Sequence, residues 1–316
     1  MIEEIVAVTP RGFCAGVARS IRVVDECLRI FGEPVYIKHA IVHNQTVVAD
    51  LEKKGAITVE NVSDIPDGAV AVFSAHGSPP THFAEARARG IRIIDATCPL
   101  VAKVHMEMHK FLKEGYHVVY IGHKGHVEGL GVIGEAVSYG QDIPVLEDIT
   151  DVEQLTFGEN EQVAVLTQTT LSVDETTALL DALRQKYPKV MEPPAQDICY
   201  ATTNRQKAIR VLAESVDVII VVGSQTSSNS KRLQETAQKN GCPAYLIDSV
   251  EEIDNEWLKD AKRVGITAGA SAPEYKVQEI IAQFVDRGAK YREIDVAKEN
   301  MHFTEPIELI RAKKNM

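Results

Sequence analysis

Cys14, Cys98 and Cys199 sit in three passages of one design, PRGFCAGVARS, DATCPLVAKVH and QDICYATTNRQ. In each, the cysteine stands where a helix is expected to begin. Pro99 suits a first helical turn, where its missing N–H costs nothing, and the apolar spacing of LVAKVHMEMHKFLKEG closes on Gly115. A helix N-terminus lowers a thiol's pKa and favours the thiolate, the form that binds metals and attacks electrophiles. Three such thiolates suit either zinc with an open fourth position or an iron–sulfur cluster. Zinc sites usually draw a local pair of ligands, and the chain has no CxxC pair. A [4Fe–4S] cluster normally takes four cysteines, so with three, one iron lacks a protein thiolate and can act on a substrate as a Lewis acid. The other two cysteines read as packing: Cys27 falls on a helix side with Ile21, Val24 and Leu28, and Cys242 lies in the turn NGCPAY.

Further side chains supply an anion site. His43 in IVHNQTVV, His76 in FSAHGS and His126 in GHKGHVEG each follow a strand-like or extended stretch. Imidazoles there can donate to phosphate oxygens and are more readily protonated near an anion. GSQTSSNS (223–230) and TAGASAPEYK (267–276) precede helices, so their hydroxyls and backbone N–H groups can receive a phosphate, although Ser228 and Ser271 equally suit plain N-capping. Glu128, in a glycine-rich stretch read as a loop, is either a proton donor or an exposed loop carboxylate. GLGVIG (129–134) fits GxGxxG, but the preceding strand ends near Gly122 and EAVSYGQ is a poor helix opening, so dinucleotide binding is not expected. No GxxxxGK[ST] motif occurs.

These residues need a scaffold, and the chain supplies an α/β one. Apolar runs at 70–74, 117–122, 163–167, 217–223 and 263–269 alternate with helix-like stretches, the pattern of mostly parallel sheets. Each run leads into a loop rich in His, Gly, Ser, Thr or Asn, and open α/β sheets bind ligands at the carboxyl ends of their strands. The three cysteine passages suggest a loose threefold repetition. The expected units are 1–97 with Cys14, His43 and His76, then 98–196 with Cys98, His126, Glu128 and Thr169, then 197–284 with Cys199, Ser227–Asn229 and Ser271. Residues 285–316 are left as a C-terminal tail, and MEPPAQD (191–197) reads as the clearest linker. The 316 residues carry a net charge of −11, against a nucleic-acid partner. No apolar run approaches a membrane span, and the acidic start MIEEIVAVTP reads as a first strand rather than a signal peptide. An odd cysteine count without a secretion signal points to the reducing cytoplasm.

Eight ordered motifs, PRGFCAGV, VHN, SAHG, DATCPLVAKVH, TQTTLSVD, DICYATTNRQ, VVGSQTSSNS and TAGASAP, run from about residue 10 to residue 275. Together they resemble the 4-hydroxy-3-methylbut-2-enyl diphosphate reductases, which catalyse the last step of the methylerythritol phosphate route to isoprenoids. The resemblance implies three similar α/β units in pseudo-threefold arrangement around a central iron–sulfur cluster. It implies reductive loss of the substrate's hydroxyl, giving isopentenyl and dimethylallyl diphosphates. Cys14, Cys98 and Cys199 then match ligands of a [4Fe–4S] cluster with one open iron. His43, His76, Ser227, Ser228, Asn229 and Ser271 match the diphosphate pocket, with His126 beside them. Glu128 matches the proton donor, and Thr169 the hydroxyl that supports it and the substrate alcohol. Two electrons would come singly from a ferredoxin or flavodoxin. The chain departs from the family pattern at Ala18, at SPPTHF after SAHG, and at HVEGLGVIG, which is expected to change the flexibility of the Glu128 loop. Competing readings are a non-redox hydratase using the cluster iron as Lewis acid, and an anion-binding or zinc-stabilised structural protein. A requirement for a one-electron donor separates the reductase from the hydratase, and zinc in place of iron would mark the structural protein.

Overall fold

The computed structural model describes residues 2–158, 161–193 and 196–314, so the middle of the MEPPAQD linker lies outside the described residues. Strands and helices alternate along the chain. The first stretch runs β1 (Glu4–Thr9), α1 (Ala15–Phe31), β2 (Val35–Lys38), α2 (Gln45–Glu52), β3 (Ala56–Val59), β4 (Val70–Phe73), α3 (Pro80–Ala88) and β5 (Arg92–Asp95). Next come α4 (Pro99–Lys113), β6 (His117–Ile121), α5 (Val127–Ile133), β7 (Val145–Leu146), α6 (Ile149–Gln154), β8 (Val163–Thr167) and α7 (Val173–Lys186). The remainder is α8 (Tyr200–Ala213), β9 (Val218–Val222), α9 (Ser228–Lys239), β10 (Ala244–Ile247), β11 (Arg263–Ala268), α10 (Glu274–Val285), β12 (Lys290–Asp295) and α11 (Ile307–Lys314). The helix read from LVAKVHMEMHKFLKEG is α4, with Cys98 at its N-cap, and Gly115 just beyond its end takes φ +85°.

Among the described residues these strands form three sheets, ordered β3-β2-β4-β5, β7-β6-β8 and β10-β9-β11-β1-β12, and every pairing is parallel. The α/β architecture expected from the alternating runs is therefore present. Parallel sheets need crossovers, which bring helices onto their faces and bury the strands on both sides. VIIVV in β9 and VAVLT in β8 are accordingly buried at every position.

The chain divides into two compact units. One comprises Met1–Ala18, His43–Val47 and Tyr200–His302 and contains the five-stranded sheet. On one face Ile5, Ala7, Ile220 and Ile266 pack with Val277, Ile280 and Phe284 of α10. On the other, Val6, Val8, Ile219 and Val221 pack with Ile209 and Leu212 of α8 and Leu233 of α9. The second unit comprises Arg19–Val42, Val48–Cys199 and Phe303–Met316 and contains the other two sheets. Its cores gather Val104, Met108 and Phe111 of α4 with Val118, Tyr120 and Leu166, then Val119, Ile121 and Val165 with Leu179 and Leu183 of α7, and Ala71 and Phe73 with Val62 and Ile65.

These units differ from the consecutive stretches 1–97, 98–196, 197–284 and 285–316 drawn from the sequence. β1 lies between β11 and β12, far from it in sequence, and β12 comes from the stretch read as a tail. The physical reason is the composition of β1: Ile5 and Ala7 feed one core and Val6 and Val8 the other, so the strand needs cover on both faces and both edges.

Candidate functional site

All five cysteines are thiols. Cys27 and Cys242 are buried, and burial pushes the Cys27 thiol up to about 12 and that of Cys242 upward as well. Neither supplies a thiolate, in agreement with their reading as packing. Cys14, Cys98 and Cys199 are half-buried, and each directly precedes a helix: α1, α4 and α8. The Cys14 sulfur accepts a hydrogen bond from Val17 N at 3.5 Å, satisfying a first-turn donor. Each cysteine N–H is tied to the loop at the end of a strand. Cys14 donates to Ala270 O (3.1 Å), Cys98 to Ala75 O (2.9 Å) and Cys199 to Thr169 O (3.0 Å). Ala270 and Ala75 immediately precede Ser271 and His76, so every cysteine is bonded to a loop that carries a sequence-nominated site residue. Among the described residues, no group of three or more His, Cys, Asp or Glu side chains is gathered as a metal-ion site.

In the second unit the structure brings Glu128 and Thr169 together. Thr169 N donates to Glu128 Oε1 at 2.7 Å and Thr169 Oγ1 to Oε2 at 2.8 Å. Glu128 is only 2% exposed, and burial pushes its carboxyl up to about 7 against the opposing pull of the two Thr169 bonds. The fully buried Tyr120 faces it, its own phenol pushed well above 10 by burial and by the Glu128 charge. Such a carboxyl can carry a proton near neutral pH and release it on demand.

Glu128 is not on a loop, as the sequence suggested, but in the first turn of α5. His126 caps this helix, its Nδ1 accepting from Glu128 N at 3.2 Å, which leaves the ring proton on Nε2. Glycines of GLGVIG permit the close packing that offsets their poor helix propensity. A Cβ on Gly129 would stand 3.1 Å from the Tyr120 ring, one on Gly131 3.3 Å from the Gly77 carbonyl carbon, and one on Gly134 would collide with Pro79. His76 lies edge-on to His126, with ring centroids 6.5 Å apart, and its Nδ1 is 3.3 Å from Ser74 Oγ. Sequence reasoning missed Tyr120 and His105, whose Nδ1 meets Glu135 at 2.9 Å and whose ring lies against Gly77 and Gly131. Helical spacing inside the DATCPLVAKVH motif was the available signal for His105.

The first unit gathers the hydroxyl residues. Ser227 caps α9 by accepting from Ser230 N at 3.2 Å, and Ser228 opens that helix. Ser271 Oγ lies 3.4 Å from Ser227 Oγ and 3.0 Å from His43 O, to which it donates. Asn229 Oδ1 accepts from Ala270 N at 2.9 Å. Its Nδ2 is buried with no protein acceptor among the described residues, as are Asn44 Nδ2 and Ser230 Oγ. A buried donor left unmade costs about 1–3 kcal/mol, so a set of them beside a helix N-terminus suits an oxyanion. Asn44, which caps α2 through Val47 N at 3.0 Å, is a further residue of this group that sequence reasoning missed.

The profile of the LytB protein family matches residues 5–285. The chain belongs to the LytB family. It is 49% identical over 309 residues to a 4-hydroxy-3-methylbut-2-enyl diphosphate reductase of Methylibium petroleiphilum, covering 98% of this chain and 93% of the relative. It is 50% identical over 306 residues to the protein of that name from Polaromonas sp., covering 96% and 91%. Among solved structures, the E-1-hydroxy-2-methyl-but-2-enyl-4-diphosphate reductase from Plasmodium falciparum matches with a TM-score of 0.96 at 38% identity, over 100% of this chain and 99% of that one. The resemblance read from the eight motifs and the LytB match agree, and the parallel three-sheet architecture is that of a solved reductase.

Proposed function

We propose that this LytB chain is a 4-hydroxy-3-methylbut-2-enyl diphosphate reductase: two electrons and two protons replace the substrate's allylic hydroxyl by hydrogen, releasing water and yielding isopentenyl and dimethylallyl diphosphates. The observation that carries this reading is the Glu128 carboxyl, buried, held by both Thr169 donors, and pushed to about 7. Glu128 delivers the proton to the departing oxygen, and the Thr169 hydroxyl holds both the carboxyl and the substrate alcohol. His126 fixes the start of α5 and, with His43 and His76, donates to the diphosphate. Ser227, Ser228, Asn229 and Ser271 bind the same group through hydroxyls, the Asn229 amide and the α9 N-terminus.

Cys14, Cys98 and Cys199 hold a [4Fe–4S] cluster. Support comes from donor chemistry: these three thiols are half-buried at helix N-termini, whose positive ends suit an anionic cluster, while the other two are sealed in cores. When bound, the cluster supplies single electrons and one iron without a protein thiolate. A ferredoxin or flavodoxin in the cytoplasm is the electron source. No described helix is long and apolar enough to cross a membrane.

The test is anaerobic reconstitution with iron and sulfide, followed by turnover of the allylic diphosphate with a reduced flavodoxin. Formation of both five-carbon diphosphates only when the donor is present is the expected result. A chain that reconstitutes but hydrates or ignores the substrate is not this reductase.

A further inference from the structure

Gly12, Ala96 and Asp197 occupy one position, two residues before Cys14, Cys98 and Cys199 respectively. Each is held by a cation. Arg205 donates to Gly12 O through Nη2 at 2.8 Å and Nε at 3.3 Å. Arg19 Nη1 donates to Ala96 O at 3.1 Å and Thr97 O at 3.0 Å. Lys103 Nζ reaches Asp197 Oδ1 at 2.9 Å, and Asp197 Oδ2 accepts from Thr167 N at 2.9 Å. The three cations are equivalent in sequence as well: Arg19 and Lys103 lie five residues after Cys14 and Cys98, and Arg205 six after Cys199, each on the helix that its cysteine precedes. The helix after Cys14 thus holds the approach to Cys98, the helix after Cys98 the approach to Cys199, and the helix after Cys199 the approach to Cys14. Every one of these contacts lies within a single compact unit.

We propose that Arg19, Lys103 and Arg205 are positioning residues that lock the backbone leading into the three cysteines. The inference rests on the reading of those cysteines as cluster ligands. Arg205 is 0% and Arg19 6% exposed, and burying a charge is expensive unless fixed partners repay it. Apolar side chains would fill the same volume more cheaply, so what the charges add is direction: hydrogen bonds to the carbonyls of Gly12, Ala96 and Thr97 and to the Asp197 carboxylate restrict each loop to one path. A ligand set drawn from three separate loops needs that restriction, because no two of its members share a turn. Residues beyond the family match complete two of the locks, since Glu299 pairs with Arg205 Nη1 at 3.0 Å and Thr304 O accepts from Arg19 Nε at 2.6 Å.

Lys103 is the most exposed of the three and the best to change. Full-length wild type, Lys103→Gln and Lys103→Arg are compared first without cluster, by hydrogen exchange, then after anaerobic reconstitution, by iron release to a chelator. Lys103→Gln is expected to speed exchange in residues 196–199 about tenfold while leaving β9 unchanged. Iron release should also rise about tenfold, with both effects largely reversed in Lys103→Arg. Wild-type exchange, or fast exchange with wild-type iron retention, overturns the proposal. So does a Lys103→Arg protein as defective as Lys103→Gln. Should Lys103→Gln fail to fold, Glu299→Gln puts the same question to residues 12–14. A wild-type chain that takes up no cluster defeats the ligand reading instead, and the cluster-free exchange data keep that failure separate.

Discussion

At the scale of the residue, Glu128 couples stability to activity through one proton. An unfolded glutamate releases that proton near 4.5, whereas the folded chain keeps it to about 7. As pH rises between these values the unfolded state ionises first, so the wild type loses stability across that window and the loss is complete above about 7. The shift corresponds to about 3 kcal/mol. Glu128→Gln cannot ionise, so urea titrations at pH 5 and pH 8 should show the wild type losing ground to the variant by a few kcal/mol. Turnover should follow the same proton in the same direction. Wild-type activity is expected to fall on the alkaline side with a midpoint about 7, and Glu128→Gln should retain less than about 1% at any pH. An alkaline limb that survives in the variant would assign the proton to another group. Cysteine chemistry can be sorted the same way: Cys98→Ser should lose the cluster, while Cys27→Ser, in a sealed core, should keep it on iron and sulfide analysis.

At the scale of the element, α5 is a helix that composition argues against. Gly129 and Gly131 lie inside it and Gly134 closes it, and a glycine costs about 1 kcal/mol relative to alanine in a helix interior. Gly134 has ordinary helical angles, φ −56° and ψ −22°, so alanine there would normally stabilise. Its added methyl would instead meet Pro79. Gly134→Ala is therefore expected to lower the urea midpoint by the equivalent of about 1–2 kcal/mol, overpacking outweighing propensity. An unchanged or raised midpoint would show that Pro79 yields. This contact also explains what could be read in advance. The strands β4, β6, β8, β9 and β11 were visible because two-sided burial writes itself as a local apolar run. The cysteine passages were visible because a helix start has local markers. The seat of Glu128 was not, because the neighbours that make glycine preferable lie outside the helix: Tyr120 on the preceding strand, and Gly77 and Pro79 dozens of residues earlier. The same holds for Arg19, Lys103 and Arg205, whose exposed-looking sequence positions conceal buried partners.

At the scale of the whole molecule, the question is what residues 286–316 do, since the family match stops at 285 and no motif lies beyond it. Strand pairing between distant segments has no local signature, so the sequence alone shows only a tail there. In the structure β12 runs in parallel register with β1 from Glu4↔Lys290 to Thr9↔Asp295. Removing it would turn β1 from an inner strand into an edge whose N–H and C=O groups have lost their ladder. The same deletion takes away Glu299 from Arg205, leaving a fully buried guanidinium without its carboxylate, and Thr304 O from Arg19. Leu309, completely buried, goes with them. Breaking one buried ion pair alone costs about 3–5 kcal/mol, a large part of the stability of an ordinary domain. A chain ending at Val285 should therefore melt at least about 10 °C lower than the full chain, or be recovered only as aggregate, although it keeps every nominated cysteine, histidine and serine. A milder truncation separates the contributions. Ending at His302 retains β12 and Glu299 but removes Thr304 and α11, so the five-stranded sheet should hold its hydrogen-exchange protection while the Cys98 approach, residues 95–98, loses its own. Equal protection at residues 95–98 in the His302-terminated and full-length chains would mean that the C-terminal segment only covers apolar surface and takes no part in holding the Cys98 loop.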